Sequence, residues 1–272
     1  STQGVSSAAS DVYKRQAKAD NNDTPVVTLG TSLTASQKQG TIDTLTQSLN
    51  GANYTTITIT GSDLVKYLNP SGYDFTDNSG VWSSAMVQKT SSGSGINVHI
   101  LPYNGHNNIT TITANQYKNA ALTAGISDAD IYVTSATPID GSGALAGVYA
   151  AYAKNGDSLN QKQINAAQTE MNTLSKITSQ NKGKDGYSDA QLNNAVAGAK
   201  KEMAKQGQNI SDSQVRDIVN NQININHLGD TITNNQKEQI INVLIKVKDG
   251  SSIRSTIEVL SKLKQNISFQ RS

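Results

Sequence analysis

From residue 158 to residue 249 the apolar positions recur three and four apart, which is the spacing of one buried face on an α-helix. Ile164, Ala167, Met171, Leu174 and Ile177 form one such stripe, ending before Gly183 and Gly186. Leu192, Val196, Ala199 and Met203 form a second that ends at Gly207, and Val215, Ile218, Val219 and Ile223 a third before Gly229. A fourth, with Ile240, Ile241, Leu244 and Val247, is apolar around much of its circumference and stops at Asp249-Gly250, so it is expected at the centre of a bundle. Ile253, Ile257, Leu260, Leu263 and Ile267 continue the pattern into a fifth. Residues 157–272 therefore read as an all-α bundle of about five helices.

Before Asp157 the period alternates between two and 3.6. Val26 to Leu29 is a β-branched run ending at Gly30, Tyr54 to Thr60 alternates Thr with Ile, and Ile109 to Ile112 and Ile131 to Ser135 are further short strands. Val81 to Lys89 and Gly95 to Tyr103 flank Thr90-Ser91-Ser92-Gly93-Ser94, a hairpin turn by composition. Helices fall between them: one with Ile42, Leu45 and Leu49, one with Leu64, Val65 and Leu68 that must stop at Asn69-Pro70, one after Thr113, and one of small residues from about Ser142 to Lys154. The order echoes itself as two β-α-β-α units around the hairpin. A right-handed crossover makes each unit's strands parallel. The fold class is α+β: an N-terminal mixed β-sheet with packed helices over 24–156, followed by the bundle.

Six helix starts share one device, a Ser or Thr followed three residues later by Gln: Thr34…Gln37, Thr113…Gln116, Ser158…Gln161, Ser188…Gln191, Ser211…Gln214 and Thr233…Gln236. In a capping box the hydroxyl accepts from the third backbone N–H and the Gln side chain returns to the N–H of the cap. The device marks boundaries and carries no chemistry.

Composition narrows the function classes. Only 16% of the 272 residues are charged, with 23 basic against 21 acidic, while Ser, Thr, Asn and Gln make up roughly 38% of the chain. That balance leaves no surplus cation for a phosphate backbone, so nucleic acid is not an expected partner. The absence of cysteine excludes disulfides, thiolate nucleophiles and iron–sulfur clusters. No stretch reaches the ~18 apolar residues of a transmembrane segment. Residues 1–23 lack periodicity and are expected to be disordered, processed or artefactual. Ala17-Lys18-Ala19 before Asp20 has the small-x-small form of a signal-peptidase site. The expected apolar run upstream is replaced by Val5 to Gln16, which reads like a translated sequencing adapter.

Five segments together carry a resemblance: Val26 to Gly30, Gly93 to Val98, Ile112 to Tyr117, Thr123 to Asp130 and Gly143 to Gly147. The chain resembles the YpuA-like family, domain of unknown function 1002, well over 24–155 and more loosely beyond. The resemblance implies a secreted or envelope-exposed protein of low-GC Gram-positive bacteria, exported through a signal peptide. It supplies no activity and no catalytic residues.

Candidate sites are then weighed on their own chemistry. Asp140-Gly141-Ser142-Gly143 opens a helix, where backbone N–H groups face outward and an anion can bind. With Gly147 it mimics a dinucleotide loop, but the spacing is Gly-x-Gly-x-x-x-Gly and Pro138 intervenes after the strand, so helix capping with close packing is the expected role. His99, on the strand face opposite Val98 and Ile100, and His106, in a polar loop, complete a hydrolase constellation only if they converge on Ser142. Trp82 with Tyr73 and Phe75 forms an aromatic platform for a sugar or peptide if exposed; core burial of Trp82 is the expectation. Asp74, Asp77 and Asn78 lack the pattern of a calcium loop, so no metal and no cofactor are expected. The sequence thus points to a non-catalytic secreted or envelope module binding a protein or cell-wall polymer. The alternative is an extracellular hydrolase with a site near Asp140 to Gly143.

Overall fold

The computed structural model describes residues 24–154, 159–207 and 209–249. The N-terminal segment 1–23, the cap residue Ser158 and the fifth bundle helix lie outside the described residues. The α+β class is met: among the described residues there are five strands and eight α-helices. In chain order these are β1 (Val26–Gly30), α1 (Ala35–Leu45), β2 (Thr55–Ile59), α2 (Gly61–Leu68), β3 (Ser83–Lys89), β4 (Ile96–Ile100), α3 (Ala114–Ala124), β5 (Ala129–Ser135), α4 (Ser142–Lys154), α5 (Gln161–Asn181), α6 (Asp189–Gln206), α7 (Asp212–Ile225) and α8 (Asn234–Asp249).

The boundaries follow the caps. Thr34/Gln37, Thr113/Gln116, Ser211/Gln214 and Thr233/Gln236 each close both hydrogen bonds of the box. At Ser188 only the hydroxyl half forms, because the Gln191 side chain donates instead to the Asn226 carbonyl. Helix α5 starts on Asn160, whose side chain accepts from Lys162 N. One cap is built differently: Asp63 accepts from the Thr60 N–H at the start of α2, an Asp doing the work that Gln does elsewhere.

The sheet is mixed, in the order β2-β1-β3-β5-β4. Strands β1 and β2 are parallel, as are β4 and β5, and β3 is antiparallel to its neighbours β1 and β5. Two expectations are corrected here. The Thr90 to Ser94 turn does reverse the chain, but β3 and β4 are not a hairpin, because β5 inserts between them. The segment Ile109 to Ile112 is not a strand of the sheet: Ile109 makes a single bridge to Ile139, and β4 serves as the first strand of the second unit. Its isoleucines Ile109 and Ile112 are buried without strand pairing, next to Gly141.

Both units step the same way across the sheet with the same strand sense. Helix α1 nevertheless packs with Val27, Leu29 and Met86 on one face, while α3 and α4 pack with Val26, Ala85, Val87, Ile131 and Val133 on the other. Parallel crossovers that step alike but lie on opposite faces must have opposite hands, so one of the two is of the uncommon left-handed kind. The echo in the sequence is therefore not one unit repeated.

The face under α4 holds the larger core, which also takes in Ile164, Ala167 and Met171 of α5. From Leu174 onward α5 belongs to a second core shared with α6, α7 and α8. Helix α5 thus joins the two layers. Between them, α3 turns Gln116, Asn119 and Thr123 toward α5 and α6, where they bond to Ser175 (2.8 Å), Asn193 (3.0 Å) and Glu170 (3.1 Å). Lys200 completes this seam with an ion pair to Glu170 Oε2 at 2.7 Å, both side chains at most 5% exposed.

Candidate functional site

Strands β1 and β3 pair through only two residues each, Val26 with Val87 and Val27 with Met86, and then part. Side chains take over in the widening gap. Thr28 Oγ1 accepts from Ala85 N, Ser84 Oγ from Gly30 N and Ser32 Oγ from Val81 N. This opening lies at the carboxyl ends of the four parallel strands, where ligand crevices of open sheets form. Beside it, sharing Val81, lies a cleft of about 240 Å³ between α2, the segment leading into β3, and the start of α4.

One wall is the loop between α2 and β3. Asn69 clamps it by donating to the Phe75 carbonyl (2.7 Å) and accepting from Phe75 N (2.9 Å). Ser79 Oγ accepts from Thr76 N, and Asp77 accepts from Ser62 Oγ, so the loop is tied to itself and to α2. Tyr73 and Phe75 stack with ring centroids 5.4 Å apart. Trp82, next to β3 and half-buried, closes the wall, its ring lying against Gly80; a Cβ there would fall 2.2 Å from Trp82 Cη2. The expectation that Trp82 is core is thus corrected. Alternation placed Val81 and not Trp82 in the interior, and Val81 is 1% exposed.

The opposite wall is Ile139 to Gly143. Asp140 accepts from both Ser142 N and Ser142 Oγ at 2.9 Å, which caps α4 with a carboxylate where the helix dipole favours negative charge. Ser83 Oγ accepts from Ala144 N at 2.7 Å, and Tyr117 donates to the Gly141 carbonyl at 2.7 Å. The N–H groups of Ser142, Ala144 and Leu145 at the helix start are thus bonded within the protein. The glycines of α4 serve packing: a Cβ on Gly147 would lie 2.4 Å from Thr28 Oγ1 of β1. The segment Ile109 to Ile112 braces this wall through Thr110 N to the Ile139 carbonyl and Ile112 N to that of Asp140.

Two phenols respond to this environment. Burial pushes Tyr73 up to about 12; the negative charge of Asp140 adds to the rise, and a hydrogen bond with Ser142 opposes it. Burial, then Asp140, then Tyr73 drive Tyr117 well above its ordinary value of 10.0. Both rings stay protonated donors at neutral pH.

The structure gathers Trp82, Tyr73, Phe75, Asp140, Gly141, Ser142 and Gly143 in one region and leaves the histidines out. His99 projects to the other face of the sheet, stacked on Tyr132 at 5.0 Å. His106 is exposed and ends a tight turn whose central residues, Asn104 and Gly105, have positive φ. Neither lines the cleft. The Ser142 hydroxyl donates to a carboxylate and has no imidazole beside it, so the serine-hydrolase constellation is not assembled. Leu64 and Val81, which also line the cleft, stand out in the sequence only as a helix-stripe and a strand position, and Ile139 does not stand out at all; nothing in their local pattern separates a core position from a cleft position.

Together, fold and site define a mixed α+β protein with a helical layer and an aromatic-walled cleft at the carboxyl ends of its parallel strands. The chain belongs to the family described as "Protein of unknown function (DUF1002)", which it matches over residues 29–265. It is 31% identical, over 226 residues, to the "Uncharacterized protein YpuA" of Bacillus subtilis (strain 168), a match covering 83% of this chain and 72% of that relative. The YpuA-like resemblance is confirmed. No solved structure matches the chain.

Proposed function

We propose that this protein is a non-catalytic binding module, exported to the cell envelope or beyond it, that engages its partner through the Trp82 cleft. The observation that carries the reading is the convergence of Trp82, Phe75, Asp140 and Ser142 on one cavity of about 240 Å³. Pockets that enclose drug-sized ligands run to ~300–1,000 Å³, so this one accepts a single ring or side chain and anchors something larger. Its walls are preformed by loop and cap hydrogen bonds, which lowers the ordering cost of binding. Export is supported by the Ala17-Lys18-Ala19 motif and the absence of cysteine. Among the described residues no helix is long and apolar enough to cross a membrane.

The test is retention of the chain from Asp20 onward on purified cell wall and on envelope extract. Wild type is expected to be retained by one of these fractions, and Trp82→Ala to be released. Equal retention of both forms, or none of either, overturns the reading.

A further inference from the structure

The chemistry of the cleft restricts what it can hold. Asp140 is its only charged lining residue. The chain that builds the two walls carries no base at all: residues 67–88 contain Asp74 and Asp77 but no Lys, Arg or His, and residues 119–153 contain Asp128, Asp130 and Asp140 with none either. The one lysine on α2, Lys66, is turned onto the Tyr67 ring, 5.1 Å from its centroid. In a chain whose charges nearly balance, this is a local excess of negative charge, and it disfavours anionic ligands.

A polyhydroxylated ring is also a poor match. A sugar needs several free hydrogen-bonding groups around its edge, yet each of the three lining serines already spends one hydrogen bond within the protein, and none carries a charge. Ser142 gives its proton to Asp140, Ser83 accepts from Ala144 N and Ser79 accepts from Thr76 N. What remains unspent is the O–H protons of Ser79 and Ser83, which only accept in their recorded bonds, the second lone-pair capacity of the Asp140 oxygens, the π faces of Trp82 and Phe75, and the apolar walls of Leu64, Val81 and Ile139. A carboxylate and aromatic rings at the end of an apolar slot fit an ammonium head on an alkyl stem.

Resting on the reading that the cleft is the binding site, we propose that it captures a primary ammonium on an alkyl stem: a lysyl side chain of a partner protein, with its ammonium at Asp140 and its stem against Trp82 and Phe75. The charge selects the lysine, and the rings hold its methylenes.

Trp82 is the chain's single tryptophan, so its fluorescence reports the cleft directly. Matched probes of equal length separate the charges: butylammonium, butanol and butyrate, then Nα-acetyl-lysine amide against its Nε-acetylated form, with N-acetylglucosamine as the sugar arm. Butylammonium and the lysine amide are expected to shift the emission saturably, about tenfold more tightly than their neutral counterparts, and to weaken as ionic strength rises from about 0.02 to about 0.2 M. Asp140→Asn keeps a capping side chain, so the fold is retained, and it is expected to bring butylammonium down to the affinity of butanol, with no dependence on ionic strength. Equal or tighter binding of butanol, butyrate or N-acetylglucosamine overturns the proposal, as does an Asp140→Asn protein that still prefers the cation. If retention on wall or envelope depends on Trp82 and no cation preference exists, this inference alone fails. If no probe moves the emission and retention survives Trp82→Ala, the cleft reading falls with it.

Discussion

Helix α3 makes two contacts with adjacent faces of the same eleven residues, and the two are built from opposite chemistry. Toward the sheet it presents Tyr117, Ala120, Ala121 and Ala124, all at most 1% exposed. Toward α5 and α6 it presents Gln116, Asn119 and Thr123, each hydrogen-bonded to a partner on those helices. The apolar contact gains by area and tolerates small slips, since any apolar neighbour serves. The polar one gains little net free energy per bond but punishes misalignment, because a shifted helix leaves amides and a charge buried without partners. The sheet-side face supplies adhesion, and the seam fixes how the helical layer is aligned on it.

The sharpest way to break that comparison is to orphan the charge. Lys200→Met leaves Glu170 buried and unpaired and is expected to cost ~3–5 kcal/mol in urea unfolding, whereas Lys200→Met with Glu170→Leu together should return to within about 1 kcal/mol of wild type. A mild single variant would show that the seam is open to solvent and does not set alignment. Next in size is Tyr117→Phe, on the sheet side: it removes the hydrogen bond to the Gly141 carbonyl and should cost about 1–3 kcal/mol, with urea midpoints as the readout.

A smaller effect is pH-dependent. Tyr73 and Tyr117 hold their protons in the fold beyond the ordinary value of 10.0, so above that pH the unfolded chain ionises first. Their stabilising contribution is complete below pH 10.0 and is lost as pH climbs through about 12, the folded value for Tyr73. Urea midpoints should therefore fall across that window, and less steeply in Tyr73→Phe. Smallest of all is Arg216→Ala, which removes a surface pair with Glu238 whose side chains are nearly half exposed. Its melting temperature should match wild type within error at moderate salt, since exposed pairs are screened and contribute little.

Much of this arrangement was legible in the chain, though unevenly. The caps at Thr34, Thr113, Ser211 and Thr233 and the apolar stripes of α5 to α8 are local signals, resolved within one or two turns of helix. The short strand from Val26, buried at every position, announced itself as a continuous β-branched run. Strand order was not legible, because the choice between β4 and β5 as the neighbour of β3 rests on contacts forty or more residues apart in sequence that no turn residue encodes. The seam was hidden for a different reason. Gln116, Asn119 and Thr123 lie at helical spacing like any solvent-facing stripe, and nothing local to Glu170 or Lys200 marks them as their buried partners. At the site, the aromatic residues and the Asp140 loop were named separately, and their meeting across the sheet depended on that same unreadable order.

That order makes β3 common property. It is the one strand running against the others, it sits at the middle of the sheet, and it touches both crossover units while belonging to neither. A chain severed at the Thr90 to Ser94 turn would leave one piece displaying an unclosed edge along β3 and the other carrying β5, the strand cut to fit it. The two pieces are natural halves for reassembly. Because Trp82 and Ser83 come with the first half and Asp140 and Ser142 with the second, the cleft would exist only after they find each other.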